Sequence, residues 1–391
     1  MAEEVWMLQT KKADFKQIGA RFRIDPVTAR IIRNRGIEGE AAIDRYLNGT
    51  LDDLYDPMLL KDMERAVSIL CEAVDTGKKI RIVGDYDIDG VCSTYILLQA
   101  FERLGSDVDF EIPDRIKDGY GINESIIEQA HADGVEVILT CDNGISAFHQ
   151  VELAKKYGMT VVITDHHEVP LDGEKEKIPP ADAVIDPKQA DCPYPFPEIC
   201  GAVVAYKLVQ VLYARRGVPQ MEWLDLLEFA AIATVGDVMK LQDENRILVK
   251  YGLKKMAQTK NLGLRRLAEK NNLDLGAITA YHIGFVIGPC LNAGGRLKTA
   301  KEALALLRAQ SEEEAERLAE ELKELNDTRK DMTEQGTEAA KLQVESWYQK
   351  DKVLVVFLPE CHESLAGIIA GRLREYYQKP AIVLTRGEEA V

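Results

Sequence analysis

The sequence predicts an α/β fold: a parallel β-sheet with helices on both faces, then a long helical connector and the start of a second α/β unit. Two observations predict it. Four short apolar runs, IRIVGDYDIDG, VILTCDNG, VVITDHH and AVIDP, each close on an acid or on an acid followed by histidines. Between residue 79 and about residue 190 these runs alternate with helical stretches at 92–104, 123–132 and 146–157. Strand–helix–strand order makes successive strands parallel and covers the sheet from both sides. The carboxyl ends of such strands line one crevice, where open sheets bind their ligands. Asp85, Asp87, Asp89, Asp142, Asp165, His166, His167 and Asp186 are thereby expected to converge.

Ahead of the sheet, residues 1–75 read as a helical and mixed segment that packs on the core, with a turn at Asp56 and Pro57. An apolar helix carrying Ala66, Ile69, Leu70 and Ala73 leads from it into the first strand. Residues 76–300 are expected to form the catalytic domain. Within it the Pro-rich stretch CPYPFPEICG at 192–201 is a loop, followed by an apolar helix at 202–213. A further apolar helix, LLEFAAIATV, ends on Gly236 and Asp237. That ending adds a carboxylate to the crevice or is an ordinary helix terminus, and spacing alone does not separate the two. Residues 301–350 read as a connector of one long helix or two: Ala315, Leu318, Leu322 and Leu325 recur at helical spacing, Glu313 reaches Arg317, and no Gly or Pro precedes Gly336. Residues 351–391 begin a second α/β domain with a buried strand at 352–359, the helix SLAGIIAGRLREYY and the strand PAIVLT. The sequence stops a few residues later, too few for a self-sufficient core, so a truncated domain is expected.

Composition narrows the function classes. At 46% hydrophobic and 29% charged residues, the 391-residue chain has globular composition and room for two or three domains. No run approaches the ~18 consecutive apolar residues of a membrane span. The opening MAEEVWMLQTKKADFKQ lacks the regions of a signal peptide, and a cytoplasmic location is expected. Seven cysteines, at 71, 92, 141, 192, 200, 290 and 361, form no CxxC pair and read as reduced and structural. A formal charge of −16 argues against indiscriminate nucleic-acid binding, so any DNA or RNA must be gripped locally.

The clustered acids imply a cation. Two unpaired carboxylates roughly 4 Å apart repel by about 4 kcal/mol at an effective dielectric of about 20, so several in one cleft require divalent metal or protonation. Carboxylates with one or two imidazoles suit manganese or magnesium, and ligand type alone leaves zinc and iron open. For Asp142 or Asp186 taken singly, capping the next helix is an equal reading. The pair His166 and His167 behind Asp165 is not explained by capping. The Asp85, Asp87, Asp89 triplet lacks the later Glu and the spacing of an EF-hand.

The ordered set DYDIDG, DNG, DHH, IDP and VGDV resembles the DHH phosphoesterase superfamily, and within it the RecJ-type single-stranded-DNA exonucleases. The resemblance runs from RNRGI and LYDPMLLKDMERAV near the start, through GPCLNAGGRL, to CHESLAGIIAGRL near the end. It implies that Asp87, Asp89, Asp142, His166 and Asp237 bind two divalent ions, typically manganese with magnesium as the alternative. It assigns Asp85 and Asp165 to fixing ligand geometry, and His167 to the scissile phosphate or proton transfer. Arg296, Asn292 and Arg115 are then phosphate contacts, Tyr120 lies against the strand, and His362 faces the substrate from the second, DHH-associated domain. Cys290 stands where the family commonly has Arg, and Asp186 where it often has Asn. The sequence ends before the Gly-Ser-Gly-Arg-Ser loop and the OB-fold of the family, so weakened DNA binding is expected. The implied activity is 5′ to 3′ release of mononucleotides from single-stranded DNA in recombination and repair, with a helicase or single-strand-binding protein as partner. The rival readings are an oligoribonuclease or other small-substrate relative, disfavoured by the GDYDIDG opening and CHES segment, and a catalytically idle scaffold, disfavoured by the retention of every expected ligand.

Overall fold

The computed structural model of the chain describes residues 5–9 and 11–387. The first residues of the opening segment and residues 388–391, where the expected truncation falls, lie outside the described residues.

Three short helices come first: α1 (Phe15–Phe22), α2 (Pro26–Asn34) and α3 (Glu40–Asn48). Asp14 and Asp25 accept hydrogen bonds from the first free amides of α1 and α2, which is why each helix starts there. Ile32, Ile37 and Ile43 close a small apolar cluster among them. Helix α4 (Met63–Thr76) buries Ala66, Val67, Leu70 and Ala73 and delivers the chain to the sheet.

The main sheet contains β1 (Ile80–Val83), β2 (Val108–Glu111), β3 (Val137–Cys141), β4 (Thr160–Thr164) and β7 (Ala183–Ile185), with a two-residue hairpin, β5 (Leu171–Asp172) and β6 (Lys175–Glu176), inserted before the last. Its order is β2-β1-β3-β4-β7 and every pairing is parallel. Ile80, Ile82, Leu139, Val162 and Ile185 face one core, shared with α5 (Ile88–Arg103), α8 (Gly201–Arg215) and α10 (Leu227–Gly236). Val83, Ile138, Ile163 and Val184 face the other, under α6 (Glu124–Ala132) and α7 (Phe148–Lys156). The chain leaves β1 toward β2 on one side and returns to β3 on the other, so the sheet has its switch point between β1 and β3. A crevice opens there at the strand ends.

The remaining helices wrap the first face: α9 (Gln220–Leu224), α11 (Asp243–Met256), α12 (Leu262–Lys270), and α13 (Ala280–His282), which passes through a π-helical stretch at Ile283–Ile287 into α14 (Gly288–Leu297). The connector is two helices, α15 (Lys301–Arg308) and α16 (Glu312–Gln343). The break is chemical: the Ser311 hydroxyl accepts from the Glu314 amide at 3.1 Å and starts a new helix. The first half of α16 buries Leu318, Ala319 and Leu322 in the main core; its second half buries Thr333, Thr337 and Ala340. Beyond it, β8 (Leu354–Phe357) and β9 (Ala381–Leu384) pair in parallel around α17 (Glu363–Tyr377). Their inward residues Leu354 and Val356 pack against Ile369 and Leu373, while Val355, Phe357, Ile382 and Leu384 remain exposed. Among the described residues no helix is long and apolar enough to cross a membrane.

Candidate metal centre

Each acidic residue is delivered by a strand or helix end. Beyond β1, the Asp87 carboxylate accepts from the amides of Asp89 at 2.9 Å and Gly90 at 3.1 Å and caps α5. Capping occupies one of its oxygens and leaves the other for the crevice. Position 90 has to be glycine, because a Cβ there would collide with the Asp85 backbone. Asp89, in the first turn of α5, accepts from the amides of Gly201 at 2.6 Å and Ala202 at 2.8 Å, the free N–H groups that begin α8. Asp142 follows β3 with a left-handed φ of 61°. A Cβ on Gly201 would lie 2.7 Å from the Asp142 Cβ, so α8 can approach only through glycine.

The Asp-His-His turn after β4 is held by Asp165. Its Oδ1 accepts from the His166 amide at 2.7 Å and from His167 Nδ1 at 2.8 Å, and its Oδ2 accepts from the Ile145 amide at 2.9 Å. Asp165 orients the turn and stands outside the donor groups. His166 Nε2 points into the acids, 3.1 Å from Asp142 Oδ1, 3.5 Å from Asp89 Oδ2 and 3.8 Å from Asp237 Oδ2. Asp237 is brought in by the end of α10, so the tie left by its sequence context is resolved in favour of the crevice.

Three groups of donor atoms result, each mutually within 4.8 Å: Asp89, His166 and Asp237; Asp85, Asp87 and Asp142; and Asp142, His166 and His167. Asp85 differs from its expected place behind the ligands, because it stands among the donors. Asp85 Oδ1 and Asp142 Oδ1 are buried without a hydrogen-bond partner. Orphaned buried acceptors of this kind are costly unless something positively charged meets them. The electrostatics agree. Burial, then Asp87, pushes the Asp85 carboxyl up to about 7, and burial, then Asp89, does the same for Asp237. Burial and the neighbouring carboxylates raise Asp142 well above the usual range and raise Asp87 too. Burial opposes charge on both histidines. It prevails at His166, which falls below its ordinary value, whereas the Asp165 carboxylate carries His167 up to about 9.

Of the expected substrate residues, Tyr120 touches this centre directly, and the others are placed by the contacts of their own elements. Tyr120 donates to the Asp142 carbonyl at 2.8 Å and its hydroxyl lies 3.2 Å from His167 Nε2. Arg115 lies over the Tyr86 ring at 4.8 Å. Arg296 Nη1 donates to the Ser364 carbonyl at 3.1 Å, and the Ser364 hydroxyl returns a bond to the Arg296 carbonyl at 2.9 Å, which joins α14 to the start of α17. Asn292 is one helical turn before Arg296 on α14. His362 caps α17, its Nδ1 2.8 Å from the Ser364 hydroxyl. Asp186 is buried and caps the turn at Lys188, outside the donor groups. Sequence reasoning missed Asn143: fully buried, it donates to the carbonyls of Val83 and Cys141 and accepts from the Ile122 amide. It pins the ends of β1 and β3 together at the switch point. An Asn between Asp and Gly directly after a strand was the available signal.

A parallel sheet that delivers DYDIDG, DNG and DHH to one switch-point crevice defines a protein of the DHH class, and residues 79–234 match the DHH family, N-terminal domain. The chain is 36% identical over 385 residues to the single-stranded-DNA-specific exonuclease RecJ of Bacillus subtilis, covering 98% of this chain and 48% of that protein. It is 35% identical to the Escherichia coli RecJ over 92% of this chain and 63% of the relative. Among solved structures, an exonuclease RecJ bound to manganese superposes with a TM-score of 0.74 at 33% identity, over 83% of this chain and 80% of that one. A Thermus thermophilus RecJ in complex with Mn2+ superposes with a TM-score of 0.79 at 30% identity, over 95% of this chain and 52% of that one. The chain therefore belongs to the RecJ family. It spans about half to two thirds of the length of these curated relatives.

Proposed function

We propose that this chain is the nuclease core of an exonuclease that hydrolyses single-stranded DNA with two divalent metal ions, manganese before magnesium. The observation that carries the reading is the set of donor groups meeting at Asp142 and His166, in which one oxygen each of Asp85 and Asp142 is buried without a hydrogen-bond partner. The residues fit the ions: Asp89, His166 and Asp237 would hold one, and Asp85, Asp87 and Asp142 the other. Bound there, the ions supply Lewis-acid stabilisation of the phosphate and a water of lowered pKa.

The chain's own residues do the rest. Asp165 holds the His167 ring through Nδ1, which leaves Nε2 as the nitrogen that can meet a phosphate oxygen. Arg296, Asn292 and Arg115 position phosphates beside the crevice, Tyr120 lines its wall, and His362 faces the strand from the second unit. The substrate is a DNA single strand shortened from its 5′ end in mononucleotides. The single-stranded substrate follows the names of the relatives; the 5′ polarity, the mononucleotide product and a place in cytoplasmic recombination and repair are this proposal's extension of the motif resemblance. A helicase or single-strand-binding protein is the partner class that would present such a strand.

Manganese-dependent release from single strands labelled at either end, beside a dinucleotide and the Asp142→Asn chain, tests the proposal. Mononucleotides from the 5′ end, lost in the variant, are expected. Release confined to the dinucleotide would replace the reading with a small-substrate phosphoesterase, and no metal-dependent release from either would overturn it.

A further inference from the structure

We propose that Tyr281 and Phe285 form a stacking platform for bases of the single strand, at the far end of the helical stripe that carries Asn292 and Arg296. The inference rests on the nuclease reading above. Tyr281 is 64% exposed and Phe285 68%, and their rings stack on one another with centroids 4.8 Å apart and planes inclined by 27°. An aromatic ring ordinarily contributes by burying 150–250 Å². These two leave most of their area in water, and the outer face of the stack is open.

Position and continuity decide the occupant. Tyr281 and Phe285 are four residues apart, and the stripe continues at Pro289, Asn292 and Arg296, none of which is fully buried. From Phe285 to Arg296 the helical rise is ~16 Å. The same helix is seated against the elements of the metal centre: a Cβ on Gly284 would lie 3.7 Å from Val235, and one on Gly288 3.3 Å from Ile88. Val235 is two residues before Asp237, and Ile88 lies between Asp87 and Asp89. The rings therefore stand within about a turn of the contacts that bring in the acids. A strand held by its phosphates at Arg296 and Asn292 has its bases free. Base faces stack on aromatic rings whatever their sequence, which is what an uncharged ring pair beyond the phosphate contacts can use.

The test uses the whole chain with Tyr281→Ala and Phe285→Ala combined, Tyr281→Phe with Phe285→Tyr as the conservative pair, and circular dichroism to verify folding. Binding is measured to a single strand carrying 2-aminopurine and, separately, to an abasic strand of equal length. The expected result is about tenfold or greater loss of affinity for the base-bearing strand, with loss of 2-aminopurine quenching. The conservative pair should retain both, and the abasic strand should bind all three chains alike. Unchanged affinity and quenching in the alanine chain would overturn the platform, as would an equal loss for the abasic strand. A changed oligomeric state with unaltered DNA binding would also overturn it, in favour of contact between copies. Failure of the nuclease reading is read separately, from absence of manganese-dependent hydrolysis by the unaltered chain.

Discussion

Asp142 shows how tightly chemistry and backbone are joined at the scale of one residue. Its left-handed φ is a conformation that Asp and Asn tolerate better than Ala, because their short polar side chains bond locally. Asp142→Asn therefore removes the charge with little strain. It should lower metal-dependent hydrolysis at least about a hundredfold, in line with the loss of a central metal contact. It should also raise the metal-free melting temperature, since one of the mutually repelling buried acids is gone. The unaltered chain should gain about 2.7 kcal/mol with manganese at roughly 100 times its Kd, and the variant much less; thermal unfolding with and without the ion measures both. Glu228 offers a second reading, away from the centre. Burial pushes its carboxyl from an ordinary 4.5 up to about 7, and one oxygen has no partner while the other accepts from Thr259 at 2.7 Å. Between those values the folded chain holds a proton that the unfolded chain has lost. The stability from neutral Glu228 is complete below about 4.5 and lost as pH rises through about 7, at most about 3 kcal/mol. Denaturant unfolding from pH 4.5 to 8 should show that decline, and Glu228→Gln should make it shallower while leaving the part contributed by Asp85 and Asp237.

At the scale of elements, the helices that serve the site are fastened by pairs no sequence pattern announces. Lys207 on α8 is buried, with its ammonium 3.1 Å from Glu244 of α11 and 3.2 Å from the Tyr55 carbonyl, while Glu244 also accepts from Tyr194. The clamp fixes the helix whose N-terminus holds Asp89. Lys207→Met would leave Glu244 buried without its cation, so a loss of about 3–5 kcal/mol is expected in urea unfolding. The strands were legible where they were mostly apolar: β1, β3, β4 and β7 are almost wholly buried, as a parallel sheet covered on both sides requires. Strand β2 was not, because as an edge it is only half buried and carries Asp109, whose carboxylate meets Arg81 of β1 at 2.7 and 2.8 Å. The small hairpin of β5 and β6 is equally silent in sequence, being largely exposed.

At the scale of the whole molecule, a chain of charge −16 is proposed to hold a polyanion, which only local cations can do. Arg115 and Arg296 face the crevice side, and burial together with Arg115 pushes the Arg296 guanidinium below its ordinary value. An anion would relieve that crowding. Each phosphate neutralised on a single strand contributes about 0.7 to the slope of log affinity against log salt. Arg296→Ala should therefore flatten the slope by about 0.7, read by fluorescence anisotropy across a potassium chloride series; an unchanged slope would remove Arg296 from the phosphate contacts.

The sequence by itself determined the parallel α/β class and the acids and histidines at its strand ends. Strand periodicity and the βαβ rule are local properties that any window of the chain displays. It also carried the Asp-x-Asp-x-Asp and Asp-His-His spacing, since both lie within single turns. Spacing alone left Asp237 open, and the family resemblance assigned it to the ligands and Asp165 to holding their geometry; only the tertiary structure decided that Asp85 stands among the donors and that Asn143 locks β1 to β3. Those outcomes depend on which strand neighbours which. Contacts of that kind, between residues tens to more than a hundred positions apart, leave no trace in the local pattern of either partner.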